Sequence, residues 1–240
     1  MTPYASGRRW TLYAGDSLDV LAAGVIPTTA AIIGDPPYGM DWNPDSTRFT
    51  GGAKPHLRAS NGRRQAPIIG DEQPFDPAPW LGFRWIVLFG WQHFAARCPP
   101  GTTLVWIKRK DAAFGGFLSD ADLAWCNSGR GVYCWRETFP PGRRSVEAMW
   151  PQPVAGGAPA HPCQKPVGLM AWTMARAKVP ADALVCDPWV GSGSTGVAAL
   201  TTGRSFIGVD VDVAHLDNAA RRLERAEAAG IQRPLMAGRP

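Results

Sequence analysis

Three short runs in this chain, IVLFG, ALVCD and FIGVD, are almost continuously apolar, and each stops at a glycine or an acid. A strand with one wet face alternates apolar and polar residues, whereas a strand buried on both faces does not. Strands of the second kind belong to sheets covered by helices on either side, which narrows the fold more than composition does. Strand-like stretches recur at 9–14, 29–34, 85–90, 103–108, 132–136, 183–187 and 205–209, and helical periodicity occupies 167–177, 194–202 and 213–229. The last helix ends at Gly230, where a helix stop is expected. The expected fold class is therefore α/β, an open, mostly parallel sheet of about seven strands with helices on both faces.

A chain of 240 residues with 45% hydrophobic content can bury a core as a single domain over 1–240. Its 27 glycines and 23 prolines point to long, structured loops around that core, and two stretches, 43–79 and 138–162, are loop-like. Loops of that length are commonly functional. No apolar run reaches the roughly 20 residues of a membrane helix. The opening MTPYASGRRW lacks an apolar leader, so a cytoplasmic location and no membrane partner are expected. The five cysteines are scattered without a Cys-x-x-Cys pair, which implies reduced thiols rather than a zinc site. A net charge of +5 leans toward a nucleic-acid partner.

Two stretches carry chemistry. In TAAIIGDPPYGMDW a buried strand ends on Asp35-Pro36-Pro37-Tyr38. The paired prolines fix φ and withdraw two donors, so the sheet cannot continue there. They leave a carboxylate, exposed carbonyls and an aromatic ring in one rigid cluster. In LVCDPWVGSGSTGVAAL a strand turns into a helix through Gly191 and Gly193, whose backbone can approach a ligand closely at a helix amino terminus. The following strand, SFIGVDVD, ends at Asp210, where ribose hydroxyls are held in nucleoside-binding folds. Asp212, directly before the last helix, fits an amino-terminal cap. No lysine follows the glycines as in a phosphate loop, which argues against ATP or GTP hydrolysis.

GDPPYGM, HPCQKPVGLM, DPWVGSGSTGVAAL and RSFIGVDVD, in that order, resemble the S-adenosylmethionine-dependent DNA amino-methyltransferases of the permuted beta group, in which the catalytic motif precedes the cofactor motif. WTLYAGDSLDVL resembles the start of that family, and 161–224 is the most specific stretch. Two departures stand out: Trp189 where Phe is frequent, and Cys163 where Thr is usual. The resemblance implies a Rossmann-like methyltransferase fold and S-adenosyl-L-methionine as cofactor, with no metal. It places Asp187, Pro188, Gly191 and Gly193 around the methionine part, Asp210 on the ribose, Asp16 near the adenine and Lys165 near the methionine carboxylate. Asp35, Pro36, Pro37 and Tyr38 become the catalytic motif. Its carboxylate and the Pro36 carbonyl accept the N–H bonds of an exocyclic amine while Tyr38 stacks on the base.

Such a base lies inside a duplex and has to be flipped out to react, so double-stranded DNA is the expected partner. Between 46 and 66 the first loop carries Arg48, Lys54, Arg58, Arg63 and Arg64 with no acid. With Lys108 and Arg109 these are the candidate phosphate contacts. Asp at the head of the motif favours adenine N6, as in most family members with Asp there, over cytosine N4. Methylation of RNA or of a protein glutamine, or nucleic-acid binding without catalysis, are the other readings. The permuted order and the intact motifs argue against them. His93 and His161 are expected to be structural, since the chemistry needs no histidine.

Overall fold

Apolar residues at every position up to the closing Asp187 and Gly34 make β8 (Leu184–Asp187) and β3 (Ala31–Gly34) the centre of the sheet, because neither could present a face to water. Around them lie β1 (Ala5–Ser6), β2 (Trp10–Ala14), β4 (Trp85–Phe89), β5 (Thr102–Ile107), β6 (Ala121–Cys126), β7 (Val132–Arg136) and β9 (Ser205–Asp210). The helices are α1 (Ser17–Ala22), α2 (Val167–Arg176), α3 (Ser194–Thr201) and α4 (Val213–Gln232). These come from a computed structural model that describes residues 1–41, 68–108, 115, 119–136 and 164–232. The chain groups into two compact units, Pro37–Phe75 and the remainder. All nine described strands belong to the larger one.

Strand order is β1-β2-β9-β8-β3-β4-β6-β5-β7. From β2 to β4 the neighbours are parallel, while β1 and β6 pair antiparallel. All seven expected strands form, with ends shifted by no more than two residues. Two more were not foreseen. β1 is only two residues long, and β6 opens Ala121-Asp122, a poor strand signal because Asp is disfavoured in sheets. Helix α1 was also unforeseen, and α4 runs through Gly230 rather than stopping there. A glycine inside a helix costs only about 1 kcal/mol, too little to end it.

The connection from β8 through α3 leads to β9 on one side of β8, whereas β2 connects through α1 across to β3 on the other. Parallel crossovers are right-handed, so connections that run in opposite directions along a sheet lie on opposite faces. Trp10, Leu12, Val185, Phe206, Ile33 and Val87 pack with Leu169 and Met174 of α2, Val197 and Leu200 of α3 and Leu216 and Leu223 of α4 in one core. The alternate residues Ile32, Ile86 and Leu88 point the other way and have no exposure, so that face is covered too. Among the described residues no helix is long and apolar enough to cross a membrane.

This winding puts the reversal of strand order between β8 and β3. Ligands of open α/β sheets bind beyond the carboxyl ends of the strands at such a point. β3 closes on Gly34, and there is no room for a larger residue. A Cβ there would lie 2.8 Å from Asp187 Oδ1 and 2.9 Å from Trp189 Cε3. Gly34→Ala should therefore destabilise the protein by about 1–3 kcal/mol. The expected result in denaturant unfolding is a lower midpoint with an unchanged slope.

Candidate active site

β8 delivers Asp187 to the carboxyl edge of the sheet, 3% exposed. Its Oδ2 accepts from Thr195 Oγ1 at 2.5 Å and its Oδ1 from the Trp189 N–H at 3.1 Å. Burial pushes its carboxyl up to about 7 against those two bonds, and the charges of Asp35 and Asp210 push the same way. Pro188 is buried directly after it, and Trp189 sets its ring edge-on to Trp80 at 5.2 Å between centroids.

The glycine turn follows. Gly191 and Gly193 have φ of +48° and +81°, a conformation that side-chain-bearing residues avoid, and Gly193 caps α3 without a side-chain bond. The turn is pinned from three sides. Val190 N–H donates to Val209 O at 2.8 Å, and Gly191 N–H donates to Asp210 Oδ2 at 2.8 Å. Buried Arg222 of α4 donates to Ser192 O and to Ser194 Oγ.

At the tip of β9, Asp210 Oδ1 also accepts from the Asp212 N–H at 2.9 Å and lies 3.4 Å from His215 Nδ1. Hydrogen bonding to Asp210 raises the His215 pKa, with burial opposing it. Asp212 accepts from the Ala214 N–H at 2.8 Å, the cap expected of it. Asp16, beyond β2, caps α1 by accepting from the Leu18 N–H at 2.7 Å.

Asp35 follows β3, next to β8 in the sheet. Lys165, only 8% exposed, pairs with Asp35 Oδ2, and its ammonium lies 5.3 Å from the Phe89 ring centre. The same ammonium is 3.9 Å from Asp122 Oδ2, whose other oxygen holds Lys108 at 2.6 Å. Charges thus alternate along the strand ends, from Asp35 through Lys165 and Asp122 to Lys108. Pro36 is buried at the end of the larger unit. Pro37 and Tyr38 open the smaller one, both half-buried.

Of the candidate phosphate contacts, Lys108 is the one that falls among the described residues, on Asp122. Arg48, Lys54, Arg58, Arg63, Arg64 and Arg109 lie outside them, as does His161. His93 is exposed and 3.0 Å from the Gln92 side chain. Sequence reasoning missed Thr195, Arg222, His215 and Asp122. The hydroxyl eight residues after Asp187 is a readable signal, being the second residue of α3. Asp122 gave none, because its strand was not recognised.

Residues 130–221 match a family model, N6_N4_Mtase, described as DNA methylase. The type II methyltransferase M2.DpnII of Streptococcus pneumoniae is 44% identical over 64 residues, 27% of this chain and 24% of its own length. The DNA adenine methyltransferase YhdJ of Escherichia coli (strain K12) is 38% identical over 66 residues, 28% of this chain and 22% of its own. The chain thus spans less than a quarter of each of these relatives in the match. Among solved structures, PvuII DNA methyltransferase (cytosine-N4-specific) superposes with a TM-score of 0.56 at 14% identity, covering 96% of this chain and 94% of that one. The M1.HpyAVI–SAM complex gives 0.50 at 18% identity, covering 89% and 98%. At those identities the likeness is one of fold.

The raised carboxyl of Asp187 has a stability consequence. Folded, it holds its proton up to about 7, whereas the unfolded chain releases it near the ordinary 3.8. Its contribution is fully present below pH 4 and is lost as pH rises through about 7. Unfolding free energies of the wild type and Asp187→Asn across pH 4 to 9 should converge at the acid end. The wild type should fall behind toward pH 8.

Proposed function

We propose, from the match of residues 130–221 to the DNA methylase family model, that this chain moves a methyl group from S-adenosylmethionine to an exocyclic amine of a DNA base, adenine N6 foremost. The observation that carries this reading is the adjacency of β3 and β8, paired at Ile32 and Cys186. One leads into the acceptor motif and the other into the glycine turn, so cofactor and amine can meet at a single strand reversal.

The residues present fit the cofactor. A turn with two positive-φ glycines offers backbone without side chains, buried Asp187 offers negative charge beside it, and Asp210 offers an acceptor at the next strand tip. The bound cofactor supplies an electrophilic methyl on a sulfonium that is already a good leaving group. The protein's own task is then to make a poor nucleophile react. The lone pair of an exocyclic amine is delocalised into the base, and acceptors on its two N–H bonds draw the nitrogen toward sp³. Asp35 serves as one acceptor and the Pro36 carbonyl as the other, and Tyr38 stacks on the extruded base. Lys165 fixes the Asp35 carboxylate from one side, so that the acceptor is oriented before the base arrives. Double-stranded DNA is the partner, its phosphates held by the loop cations and Lys108.

Adenine is favoured by Asp35 and by the YhdJ match, a DNA adenine methyltransferase. Cytosine N4 presents the same two hydrogens to the same acceptors. The test incubates the protein with unmethylated DNA and methyl-labelled cofactor, then identifies the labelled nucleoside by mass spectrometry. N6-methyladenine is expected. N4-methylcytosine would change the base and keep the mechanism, and no label in DNA would sink the reading. Asp35→Ala should lower kcat by about 10²-fold or more. Cofactor affinity should tighten as pH rises through about 7, because ionised Asp187 favours the cationic methionine part. In Asp187→Asn that dependence should flatten.

A further inference from the structure

After the paired prolines come four consecutive backbone donors, and all four turn to one residue. Asp71 Oδ1 accepts from the N–H groups of Tyr38 at 3.0 Å, Gly39 at 3.0 Å and Met40 at 3.2 Å. The Asp71 carbonyl accepts from the Asp41 N–H at 2.9 Å. Asp71 is 4% exposed. Successive N–H groups converging on one anion make a nest, and the chain bends to form it. Gly39 has φ of +79° and Asp41 +46°. A Cβ on Gly39 would lie 2.6 Å from Gln73 O, so the two backbones touch here. All these residues belong to the smaller unit.

No regular element includes residues 35–41. A strand holds its side chains through the ladder, and this segment has none. The buried carboxylate takes the ladder's place. We propose that Asp71 is a positioning residue for the acceptor motif: it fixes the backbone of 38–40 and, through it, the ring of Tyr38 against which the target base is held. This inference rests on the DNA methyltransferase reading and adds to it the group that keeps the aromatic platform still. A platform that swings adds orientations in which base and methyl are out of line, and a displacement of about 1 Å can cost on the order of 10²-fold in rate.

The test compares Asp71→Ala, Asp71→Asn, Tyr38→Ala and the double variant Tyr38→Ala/Asp71→Ala. Asp71→Ala should lower kcat about 10- to 100-fold while the cofactor Kd, measured by calorimetry, stays at the wild-type value, because the groups assigned to the cofactor lie in the larger unit. Asp71→Asn keeps an acceptor oxygen and should recover most of the rate. In the Tyr38→Ala background, loss of Asp71 should add little. Hydrogen exchange should find the amides of 38–40 protected in the wild type and in Asp71→Asn, and open in Asp71→Ala.

A full additional loss in the double variant, or a wild-type kcat in Asp71→Ala, overturns the role. So does an Asp71→Asn enzyme as slow as Asp71→Ala with its amides still protected. If Asp71→Ala does not fold, Asp71→Asn and the exchange pattern of the wild type still decide the matter. A wild type that transfers no methyl group to DNA sinks the function and this role with it, whereas an active wild type with the adverse variant results sinks only the role of Asp71.

Discussion

A parallel sheet sends the carboxyl end of every strand to the same edge, and here that edge collects acids. Asp16 follows β2, Asp210 ends β9, Asp187 ends β8 and Asp35 follows β3. Like charges brought together in partly buried surroundings repel, so each needs its own means of neutralisation. Asp16 has the amino terminus of α1, Asp210 has backbone N–H groups and His215, and Asp35 has Lys165. Asp187 is left with a hydroxyl and one N–H, and burial raises its pKa to about 7. A group poised in that way is costly when ionised and is the natural seat for a cationic ligand. The same feature that weakens the empty protein at neutral pH gives a ligand something to repay.

The glycine turn illustrates how local freedom is converted into fixed geometry. Two positive-φ glycines would leave a turn loose in an isolated peptide. In the protein, Asp210, Val209 and Arg222 hold Gly191, Val190 and Ser192, and the last of the three holders reaches in from the middle of α4. A substitution on the buried face of that helix can therefore act on the turn without touching a ligand. A guanidinium suits the task because it offers several donors in a fixed plane to a carbonyl and a hydroxyl at once.

The strands were legible because their composition is extreme. IVLFG and FIGVD can be little else, and the order of motifs along the chain resembles that of the permuted DNA amino-methyltransferases. Asp212 was legible as a cap because it directly precedes a helical pattern. Asp122 was not, since an acid in a short strand reads as a loop residue until the antiparallel partners β4 and β5 are seen on either side of it. Lys165 carries the same lesson. The resemblance assigned it to the methionine carboxylate, but only folding reveals that it stands between Asp35 and Asp122. Asp71 was invisible for a related reason: its partners are backbone N–H groups some thirty residues away, which no pattern of side chains records.

β2 lies beside β9 in the sheet, Trp10 facing Phe206 and Ala14 facing Asp210. Almost the whole chain separates these partners, so their ladder is among the last contacts that a growing polypeptide can make. Loop closure over such a span is slow, and pairing of this kind raises the contact order. Until then the edge of β2 that faces β9 has no mate, and Gly15 cannot donate to the Asp210 carbonyl. A ribosome-bound intermediate would carry the double-proline motif early and wait for its cofactor-side half, exposed meanwhile to the mispairing that unpartnered strand edges invite.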